Sequence, residues 1–379
     1  MRDYSAILDS LREESRLRTL PNEFDNGKID FSSNDYLGLS VRYDLVERFF
    51  EQIDSLKMTS SASRLLASSQ SEYAELEELL SRAYLKDVLL YNSGYHANVG
   101  TVSALASVDT LIIADKLVHA SIIDGIVLSK APFKRFRHND INQLHDIIKE
   151  NINKYKQLLV ITESIFSMDG DETPLEELIE IKKEYPELLI YIDEAHALGV
   201  RGKRGLGILE EKNIIDYVDV VIGTFGKACC SMGAFVATSP TIKQYLINSS
   251  RSFIFSTALP PINVAWTLFI LKRIMTMNGE REYLGSISRR FRDGLEKITG
   301  EKNISTTQIV PLIIGDSKQA VEWSQKLRDS GYVALPIRKP TVPEGTERIR
   351  FSLSSSMKIE EIDNLLIKIK EIHETSVLK

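Results

Sequence analysis

Five short apolar runs, separated mostly by stretches with helical periodicity, constrain the fold more than any other feature of the sequence. The five runs are residues 88–91, 111–114, 158–162, 188–192 and 218–222. Strands that alternate with helices build a mostly parallel sheet with helices on both faces. The chain is therefore predicted to be an α/β protein, in which ligands bind at the carboxyl ends of the strands.

The chain is long enough for more than one hydrophobic core, since 379 residues exceed the usual size of a single domain. We predict an N-terminal arm and helix over residues 1–40, a large domain over 41–265 and a small C-terminal α+β domain over 266–379. In the arm, apolar residues recur at helical spacing and predict an amphipathic helix that packs on the main body: Tyr4, Ile7, Leu8 and Leu11. Beyond residue 260 we expect helices over 262–275, 317–330 and 359–372 and strands over 308–314, 333–336 and 348–353.

Composition and charge exclude several classes of partner. The net charge of -6 argues against a nucleic-acid partner, and no apolar stretch is long enough to span a bilayer. The first 20 residues lack the apolar core of a signal peptide. The two cysteines, Cys229 and Cys230, are adjacent and form neither a disulfide framework nor a metal site by themselves. We therefore expect a cytoplasmic protein without a metal site.

Polar side chains follow the predicted strands at the points where the strands end. After the first strand, the turn that contains Gly94 and Tyr95 opens a helical pattern, and the N–H groups of such a turn can bind a phosphate. An unpaired buried carboxylate is costly, so an aspartate three residues before a histidine is unusual as core packing. A lone histidine, in contrast, is more often structural than functional. The later strands are followed by His119, by Glu163, by Asp193 and His196, and by Lys227.

Lys227 closes the stretch Gly223-Thr224-Phe225-Gly226-Lys227, directly after the last strand. Desolvation beside a buried strand end disfavours the ammonium form, and a neutral lysine forms a Schiff base with an aldehyde cofactor. The alternative is a surface lysine in a turn. Pyridoxal phosphate needs an amine, an acid for its pyridine nitrogen and donors for its phosphate, and this edge of the sheet offers all three. A metal site or a serine triad fits less well, because a third clustered ligand and a Gly-x-Ser-x-Gly elbow are missing.

Six stretches of the chain carry a family resemblance. Together they resemble the α-oxoamine synthases, fold-type I transferases that depend on pyridoxal phosphate. The resemblance implies a large domain with a mostly parallel sheet, a smaller C-terminal α+β domain, and a homodimer with its active site at the interface. The stretches are residues 33–39, 92–98, 119–121, 166–171, 193–196 and 224–227.

The resemblance also implies a role for individual residues. Lys227 would bind the cofactor and transfer protons, Asp193 would pair with the pyridine nitrogen, and His196 would bond to the phenolic oxygen. His119 would stack on the cofactor ring and contact the substrate. The remaining cofactor-binding positions implied are Gly94, Tyr95, Ser167, Thr224, Ser256 and Thr257, the last two reaching the partner's phosphate. The other substrate-binding positions implied are Arg18, Asn34, Arg338 and Thr341.

Residues 337–350 bear on the substrate. Their prolines predict a constrained loop that leads into an edge strand and holds Arg338 in place. Arg338 is then either a partner in a surface ion pair or a clamp on a carboxylate, and the resemblance favours a clamp on the amino acid. It implies that L-alanine condenses with a pimeloyl thioester, carried by coenzyme A or an acyl carrier protein, with loss of carbon dioxide in biotin biosynthesis.

Two other functions stay open at this point. One is a sister activity, such as glycine C-acetyltransferase, with another amino acid or acyl group. The other is an inactive subunit of the same fold, against which the presence of Lys227, Asp193 and His196 argues. The chain also departs from the family at positions around Arg64 where glycine is common, because Thr59, Ser61, Ala62 and Ser68 stand there. This serine-rich stretch is either a flexible surface loop or a cover for a polar ligand.

Overall fold

The computed structural model describes residues 2–20, 27–53, 57–67 and 71–377, so Ser68 lies outside the described residues. The chain packs into two compact units. The large unit consists of Leu37–Phe166 and Glu172–Arg281, and the small unit consists of Met1–Tyr36, Ser167–Asp171 and Glu282–Lys379. The domain boundaries predicted after residues 40 and 265 stay a prediction. Within the described ranges, no helix combines the length and the apolar character that a bilayer crossing needs.

Fourteen α-helices and twelve strands are found in the described part of the chain. The helices are α1 (Tyr4–Glu13), α2 (Tyr43–Glu51), α3 (Ser71–Tyr84), α4 (Gly94–Leu105), α5 (Ala120–Ser129), α6 (Ile141–Asn151), α7 (Leu175–Glu184), α8 (Ile208–Glu211), α9 (Pro240–Ser249), α10 (Arg251–Ile254), α11 (Pro261–Ile274), α12 (Asn278–Thr299), α13 (Ser317–Asp329) and α14 (Ile359–Val377). The strands are β1 (Ile29–Asp30), β2 (Asp87–Tyr91), β3 (Thr110–Asp115), β4 (Phe133–Phe136), β5 (Gln157–Glu163), β6 (Leu189–Asp193), β7 (Val220–Thr224), β8 (Ala234–Thr238), β9 (Ile309–Ile313), β10 (Tyr332–Val333), β11 (Leu335–Ile337) and β12 (Arg348–Ser352).

The large unit contains a seven-stranded sheet in the order β2-β8-β7-β6-β5-β3-β4. The strands predicted from the five apolar runs are confirmed as β2, β3, β5, β6 and β7. Strand β8 was not predicted from the sequence. It lies antiparallel to both β2 and β7. The connection from β7 to β8 is too short for a crossover, so the two strands form a hairpin. The edge strand β4 was not predicted either, because its first three residues are exposed and leave no apolar run.

Helices cover both faces of this sheet, as predicted. On one face, alternate residues such as Leu89 and Tyr91 of β2 pack with Val102 of α4 and Ile126 of α5 in the main hydrophobic core. On the other face, Tyr84 of α3 packs against the ring of Phe235 at a centroid distance of 5.2 Å. Successive strand residues point to opposite faces, so burial on both sides explains why these strands are continuously apolar.

The small unit contains a three-stranded antiparallel sheet, β11-β12-β9, and the parallel pair β1-β10. The strands predicted over 308–314 and 348–353 are confirmed. The single strand predicted over 333–336 is wrong, because this segment forms β10 and β11 in different sheets. The prediction that the loop leads into an edge strand is also wrong, since β12 lies in the middle of its sheet. The edge strands are β11 and β9, and Pro336, which has no N–H, is tolerated in β11.

The N-terminal helix is confirmed as α1, but its packing is not. None of its described residues is buried, and Tyr4 and Leu8 of its apolar face are exposed. Asp3 caps the helix by accepting a hydrogen bond from the Ala6 N–H at 3.1 Å. The helix is therefore defined by its local sequence rather than by burial against the rest of this chain.

A substitution at Gly223 tests the close packing around β7. A Cβ atom there would lie 2.3 Å from the nearest ring atom of the fully buried Phe235. We expect Gly223→Ala to lower the free energy of unfolding by about 1–3 kcal/mol, the usual cost of overpacking. Gly285→Ala is the control: it lies in α12 with open space around it, and it should raise the free energy by about 0.5–1 kcal/mol. Urea denaturation measures both, and equal stability of the two variants would contradict the packing.

Candidate active site

Adjacent parallel strands bring the predicted catalytic residues to one edge of the large-unit sheet. Glu163 ends β5 and is paired in register with Asp193, which ends β6. Strand β7 runs parallel to β6 and ends at Thr224, three residues before Lys227. The order of the parallel strands therefore brings these residues to the same edge of the sheet, at the carboxyl ends of the strands.

Lys227 contacts His196 directly. The Lys227 Nζ atom lies 2.8 Å from His196 Nε2. Lys227 is partly buried, and His196 is 4% exposed. The turn that carries the lysine is fixed by backbone hydrogen bonds, from the Phe225 N–H to the Gly233 carbonyl at 2.9 Å and from the Cys230 N–H to the Lys227 carbonyl at 2.8 Å. The lysine amine is thus held in one region of the site by the β7–β8 hairpin.

Asp193 is buried, and both of its carboxylate oxygens accept hydrogen bonds. The Ala195 N–H donates to Oδ1 at 2.8 Å, and the side-chain amide of Asn98 donates to Oδ2 at 2.8 Å. Hydrogen bonds of this kind favour the charged form of a carboxyl group. The arrangement therefore suits an anion that pairs with a protonated ring nitrogen. Asn98 belongs to a stretch that carried the resemblance, yet its role was not predicted.

His119 caps the start of α5 and is anchored to β5. Its backbone N–H donates to Glu163 Oε1 at 2.6 Å, and its Nδ1 lies 2.7 Å from the Ser121 hydroxyl. His119 as a whole residue is exposed to solvent. The protein crowded around the ring desolvates it and lowers the His119 pKa. The Asp193 charge opposes this lowering, and the Lys227 charge adds to it.

Glu163 is a buried carboxyl group that the sequence analysis noted at a strand end but gave no role. It is 3% exposed. Desolvation, with the neighbouring Asp193 charge as the next cause, raises the pKa of Glu163 well above its usual value. Two ionised carboxylates this close would repel each other, which is why the Asp193 charge adds to the raised pKa of Glu163.

The predicted phosphate-binding residues meet at the start of α4. Ser93 caps this helix, and its hydroxyl accepts a hydrogen bond from the His96 N–H at 3.2 Å. A Cβ atom at Gly94 would lie 3.5 Å from Thr224 Cβ, so these two predicted residues are neighbours. Tyr95 is exposed, and its hydroxyl donates to Asp124. The helix N-terminus provides N–H groups of the kind that bind phosphate, whereas the neighbouring Thr224 hydroxyl donates to the Gly233 carbonyl at 3.1 Å in this structure.

Ser256 and Thr257 lie close to this turn in the same chain. The Thr257 carbonyl accepts a hydrogen bond from the Asn92 side chain at 2.6 Å, and Thr257 forms an isolated antiparallel bridge with Ser63. The next residue along is held as well, since the Ala258 N–H donates to the Ala62 carbonyl at 2.9 Å. The described part of the serine-rich stretch is thus fixed against the Thr257 segment.

The small unit holds the other predicted residues in two groups. In the first, the buried guanidinium of Arg350 donates to the Ser167 carbonyl at 2.5 Å and to Asn34 Oδ1 at 3.0 Å. In the second, Arg18 donates to the Thr341 hydroxyl at 2.8 Å, and Arg338 donates to the Ser15 carbonyl. Arg338 therefore lies with Arg18 rather than with Asn34. Arg350 was not predicted as a site residue. It lies two residues after Arg348 on a buried strand, and this position does not reveal a role in the site.

Comparisons with known proteins identify the family of the chain. The family model described as aminotransferase class I and II matches residues 26–369. A putative 8-amino-7-oxononanoate synthase of Pasteurella multocida (strain Pm70) is 45% identical and covers 99% of this chain and 100% of the relative. A serine palmitoyltransferase from S. paucimobilis with a bound PLP–myriocin aldimine is 27% identical, with a TM-score of 0.90 and full coverage of both chains. An 8-amino-7-oxononanoate synthase of Francisella tularensis is 28% identical, with a TM-score of 0.77, and covers 93% of this chain and 99% of that one.

The chain belongs to the aminotransferase class I and II family. The predicted resemblance to the α-oxoamine synthases, and with it the fold-type I architecture, is confirmed. The chain is a pyridoxal phosphate-dependent enzyme of the acyltransferase type that acts on small molecules. The residues present fit this cofactor, because the amine of Lys227, the hydrogen-bonded carboxylate of Asp193 and the helix N-terminus at Gly94 all occur in the large unit.

A buried carboxyl group next to Asp193 makes the stability of the protein depend on pH. Glu194 is fully buried, and desolvation raises its pKa from 4.5 to about 8. The folded protein therefore holds this proton more tightly than the unfolded chain does. The contribution is complete below pH 4.5 and is lost as the pH rises through about 8.

We expect Glu194→Gln, which stays neutral, to be more stable than the unsubstituted protein at pH 8, by on the order of 3 kcal/mol. At pH 4.5 the difference should largely vanish. Urea denaturation of both proteins at the two pH values measures this. Glu187→Gln, at an exposed position, is the control and should show no such change with pH. A stability difference that is the same at both pH values would contradict the buried neutral carboxyl.

Proposed function

We propose that this enzyme condenses L-alanine with a pimeloyl thioester and releases 8-amino-7-oxononanoate, carbon dioxide and the free thiol, a step of biotin biosynthesis. The observation that carries the proposal is the 2.8 Å contact between Lys227 Nζ and His196 Nε2 at the strand edge that also holds Asp193. An amine and a carboxylate at such an edge are what chemistry at an amino-acid α-carbon requires. The relatives named 8-amino-7-oxononanoate synthase support the choice of substrates.

The predicted site residues would then divide the chemistry among them. When bound, pyridoxal phosphate supplies an electron sink that stabilises negative charge at the α-carbon of the amino acid. Lys227 would bind it through its amine and afterwards remove the α-proton. Asp193 would keep a proton on the ring nitrogen, and His196 would hydrogen-bond the phenolic oxygen. His119 would pack on the ring, while Gly94, Tyr95, Ser167, Thr224, Ser256 and Thr257 would bind the remaining polar groups.

Arg350 and Asn34 are proposed to bind the carboxylate of the amino acid. Arg350 is 7% exposed and has fixed partners: Nε donates to the Ser167 carbonyl, and another nitrogen donates to the Ser352 hydroxyl at 2.8 Å. Its 3.0 Å contact with Asn34 Oδ1 brings together a guanidinium and a side chain that the resemblance assigns to the substrate. A guanidinium held in this way offers the planar fork that matches a carboxylate.

Arg18 and Arg338 favour an acyl group that ends in a carboxylate. Within residues 2–20, 27–53, 57–67 and 71–377, neither guanidinium has an ion-pair partner. Desolvation, and then the nearby Arg18 charge, lowers the pKa of Arg338. An anion would relieve the repulsion between the two cations. The pimeloyl chain carries such an anion at its far end, whereas acetyl and palmitoyl chains do not. We propose that Arg18, Arg338 and Thr341 bind it.

Matched lysine substitutions separate the two arginine sites. Lysine keeps the charge but loses the fork of donors. We expect Arg350→Lys to raise KM for L-alanine about 10- to 100-fold, the cost of a lost charged hydrogen bond, with a smaller change in KM for the thioester. Arg338→Lys should do the opposite. Steady-state kinetics of both variants measure this, with thermal unfolding as the check on folding. A larger effect of Arg338→Lys on alanine would return the amino-acid clamp to Arg338.

The oligomer, the acyl carrier and the location of the enzyme are part of the proposal. As the family resemblance implies, we propose a cytoplasmic homodimer in which Ser256 and Thr257 reach the cofactor phosphate of the partner subunit. The thiol released is either coenzyme A or an acyl carrier protein. The exposed Tyr4 and Leu8 of α1 are consistent with a surface that a second copy covers.

A sister activity is the second candidate, because the serine palmitoyltransferase of S. paucimobilis matches the whole chain with a TM-score of 0.90. A thiol-release assay of the purified holoenzyme separates the candidates. It crosses L-alanine, glycine and L-serine with pimeloyl, acetyl, succinyl and palmitoyl coenzyme A. Turnover confined to L-alanine with the pimeloyl thioester is expected. Turnover with serine and palmitoyl, or with glycine and acetyl, would contradict the proposal.

Two further arms make this assay sharper. The methyl ester of pimeloyl coenzyme A has the same length without the terminal charge, and we expect it to be a poor substrate. If all coenzyme A thioesters are silent, pimeloyl carried on an acyl carrier protein tests the other donor. Silence there as well would contradict the proposed function and favour an inactive subunit.

A further inference from the structure

Asn98 lies at the centre of a buried hydrogen-bond network that joins two of the proposed cofactor contacts. Its side-chain oxygen accepts a hydrogen bond from the Tyr191 hydroxyl at 2.5 Å. Its amide nitrogen donates to Asp193 Oδ2 at 2.8 Å and to Ser121 Oγ at 3.0 Å. Because an ionised carboxylate can only accept, the amide of Asn98 has one orientation, with its nitrogen toward Asp193 and its oxygen toward Tyr191.

The network ends at the imidazole of His119. The backbone N–H of Ser121 donates to His119 Nδ1 at 3.3 Å, and the Ser121 hydroxyl oxygen lies 2.7 Å from the same nitrogen. A ring nitrogen that accepts a hydrogen bond from a backbone N–H carries no proton itself. The Ser121 hydroxyl must therefore donate to Nδ1 as well. It is able to do so because it receives the Asn98 amide on its oxygen.

These directions leave one form of the histidine. With Nδ1 as a double acceptor, a neutral His119 carries its proton on Nε2. The surroundings agree with a neutral ring, since desolvation lowers the His119 pKa even though Asp193 and Asp124 lie near enough to oppose the shift. The Nε2–H group is then a hydrogen-bond donor on the edge of the ring away from Ser121.

We propose that Asn98 is a positioning residue that orients the Asp193 carboxylate and, through Ser121, holds His119 in its Nε2–H tautomer. The inference rests on the proposed function only in taking Asp193 and His119 as residues that contact the cofactor. The two side chains come from different strand ends, yet one amide group fixes both. The orientation of the Asp193 carboxylate and the position of the His119 Nε2–H donor are therefore set together.

Nitrogen-15 NMR of the histidine side chains of the holoenzyme tests the proposal without any substrate. The chain has six histidines, and the signals of His119 are identified by their loss in His119→Gln. We expect the Nδ1 signal of His119 to have the shift of an unprotonated acceptor and the Nε2 signal that of a protonated nitrogen. Ser121→Ala removes the hydroxyl donor, so the two signals should move toward each other as the tautomers mix.

Two matched variants keep the test independent of folding. Ser129→Ala removes a hydroxyl from the same helix, where it bonds to the Ile126 carbonyl, and should leave the His119 signals unchanged. Tyr191→Phe removes only the donor to the Asn98 oxygen and should shift the His119 signals in the same direction as Ser121→Ala. A proton on Nδ1 in the unsubstituted enzyme, or signals that do not respond to Ser121→Ala and Tyr191→Phe, would overturn the proposal.

Kinetics distinguish this inference from the function itself. Ser121→Ala should lower kcat about 10- to 100-fold, because the Nε2–H donor of His119 is no longer fixed. KM for the thioester should change little. If the tautomer is as expected but the pimeloyl thioester is not a substrate, the function is wrong and the inference stands. If turnover is as expected but His119 is a mixture of tautomers, the function stands and the inference is wrong.

Discussion

The structure depends on keeping one negative charge, that of Asp193, in an almost completely buried position. A buried carboxylate without partners would take up a proton or destabilise the fold. Asn98 and the Ala195 N–H donate to its two oxygens at 2.8 Å each, which compensates for the water that is lost. Desolvation and the Asp193 charge raise the pKa of the neighbouring Glu163 well above its usual value. Asp193 itself lies at the end of β6, in the middle of the sheet.

The small unit also buries charged groups that have fixed partners, in this case two arginines of one strand. Arg348 and Arg350 both lie on β12 and are both buried. Arg348 forms an ion pair with Asp169, and Arg350 donates to the Ser167 carbonyl. The short segment Ser167–Asp171, which packs with this unit although the chain around it belongs to the large unit, is thereby held at two points. A predicted cofactor-binding residue and a proposed substrate-binding arginine are thus directly bonded to each other.

The sequence predicted the parts of the fold whose burial is continuous. The five apolar runs identified β2, β3, β5, β6 and β7, because strands covered on both faces must be apolar throughout. Edge strand β4 has no such run, and α1 has an apolar face that this chain does not bury. The split of 333–336 into β10 and β11 depends on pairing with distant strands, which no local pattern reveals.

The site was predictable where residue type and strand position coincide. Lys227, Asp193 and His196 follow strand ends and carry functional groups that are unusual there. Asn98 and Ser121 lie on helices and act through hydrogen bonds whose partners are far away in sequence, so only the structure joins them. The assignment of the amino-acid clamp to Arg338 rested on the family resemblance and stays a prediction, whereas the observed contact with Asn34 belongs to Arg350, a residue of a buried strand. The departure at Ser61 has a visible consequence, since its φ of 48° lies in the region that favours glycine.

The central claim is that Lys227, beside His196 and Asp193, removes the α-proton of an amino acid. The most direct test is exchange of the α-hydrogen of L-alanine with deuterated water, followed by NMR, with the holoenzyme and no acyl thioester. The account predicts exchange by the unsubstituted enzyme, loss of exchange in Lys227→Ala, and unchanged exchange in Lys156→Ala, where the lysine side chain is 80% exposed. Exchange that persists in Lys227→Ala, or that never occurs in the unsubstituted enzyme, would contradict it.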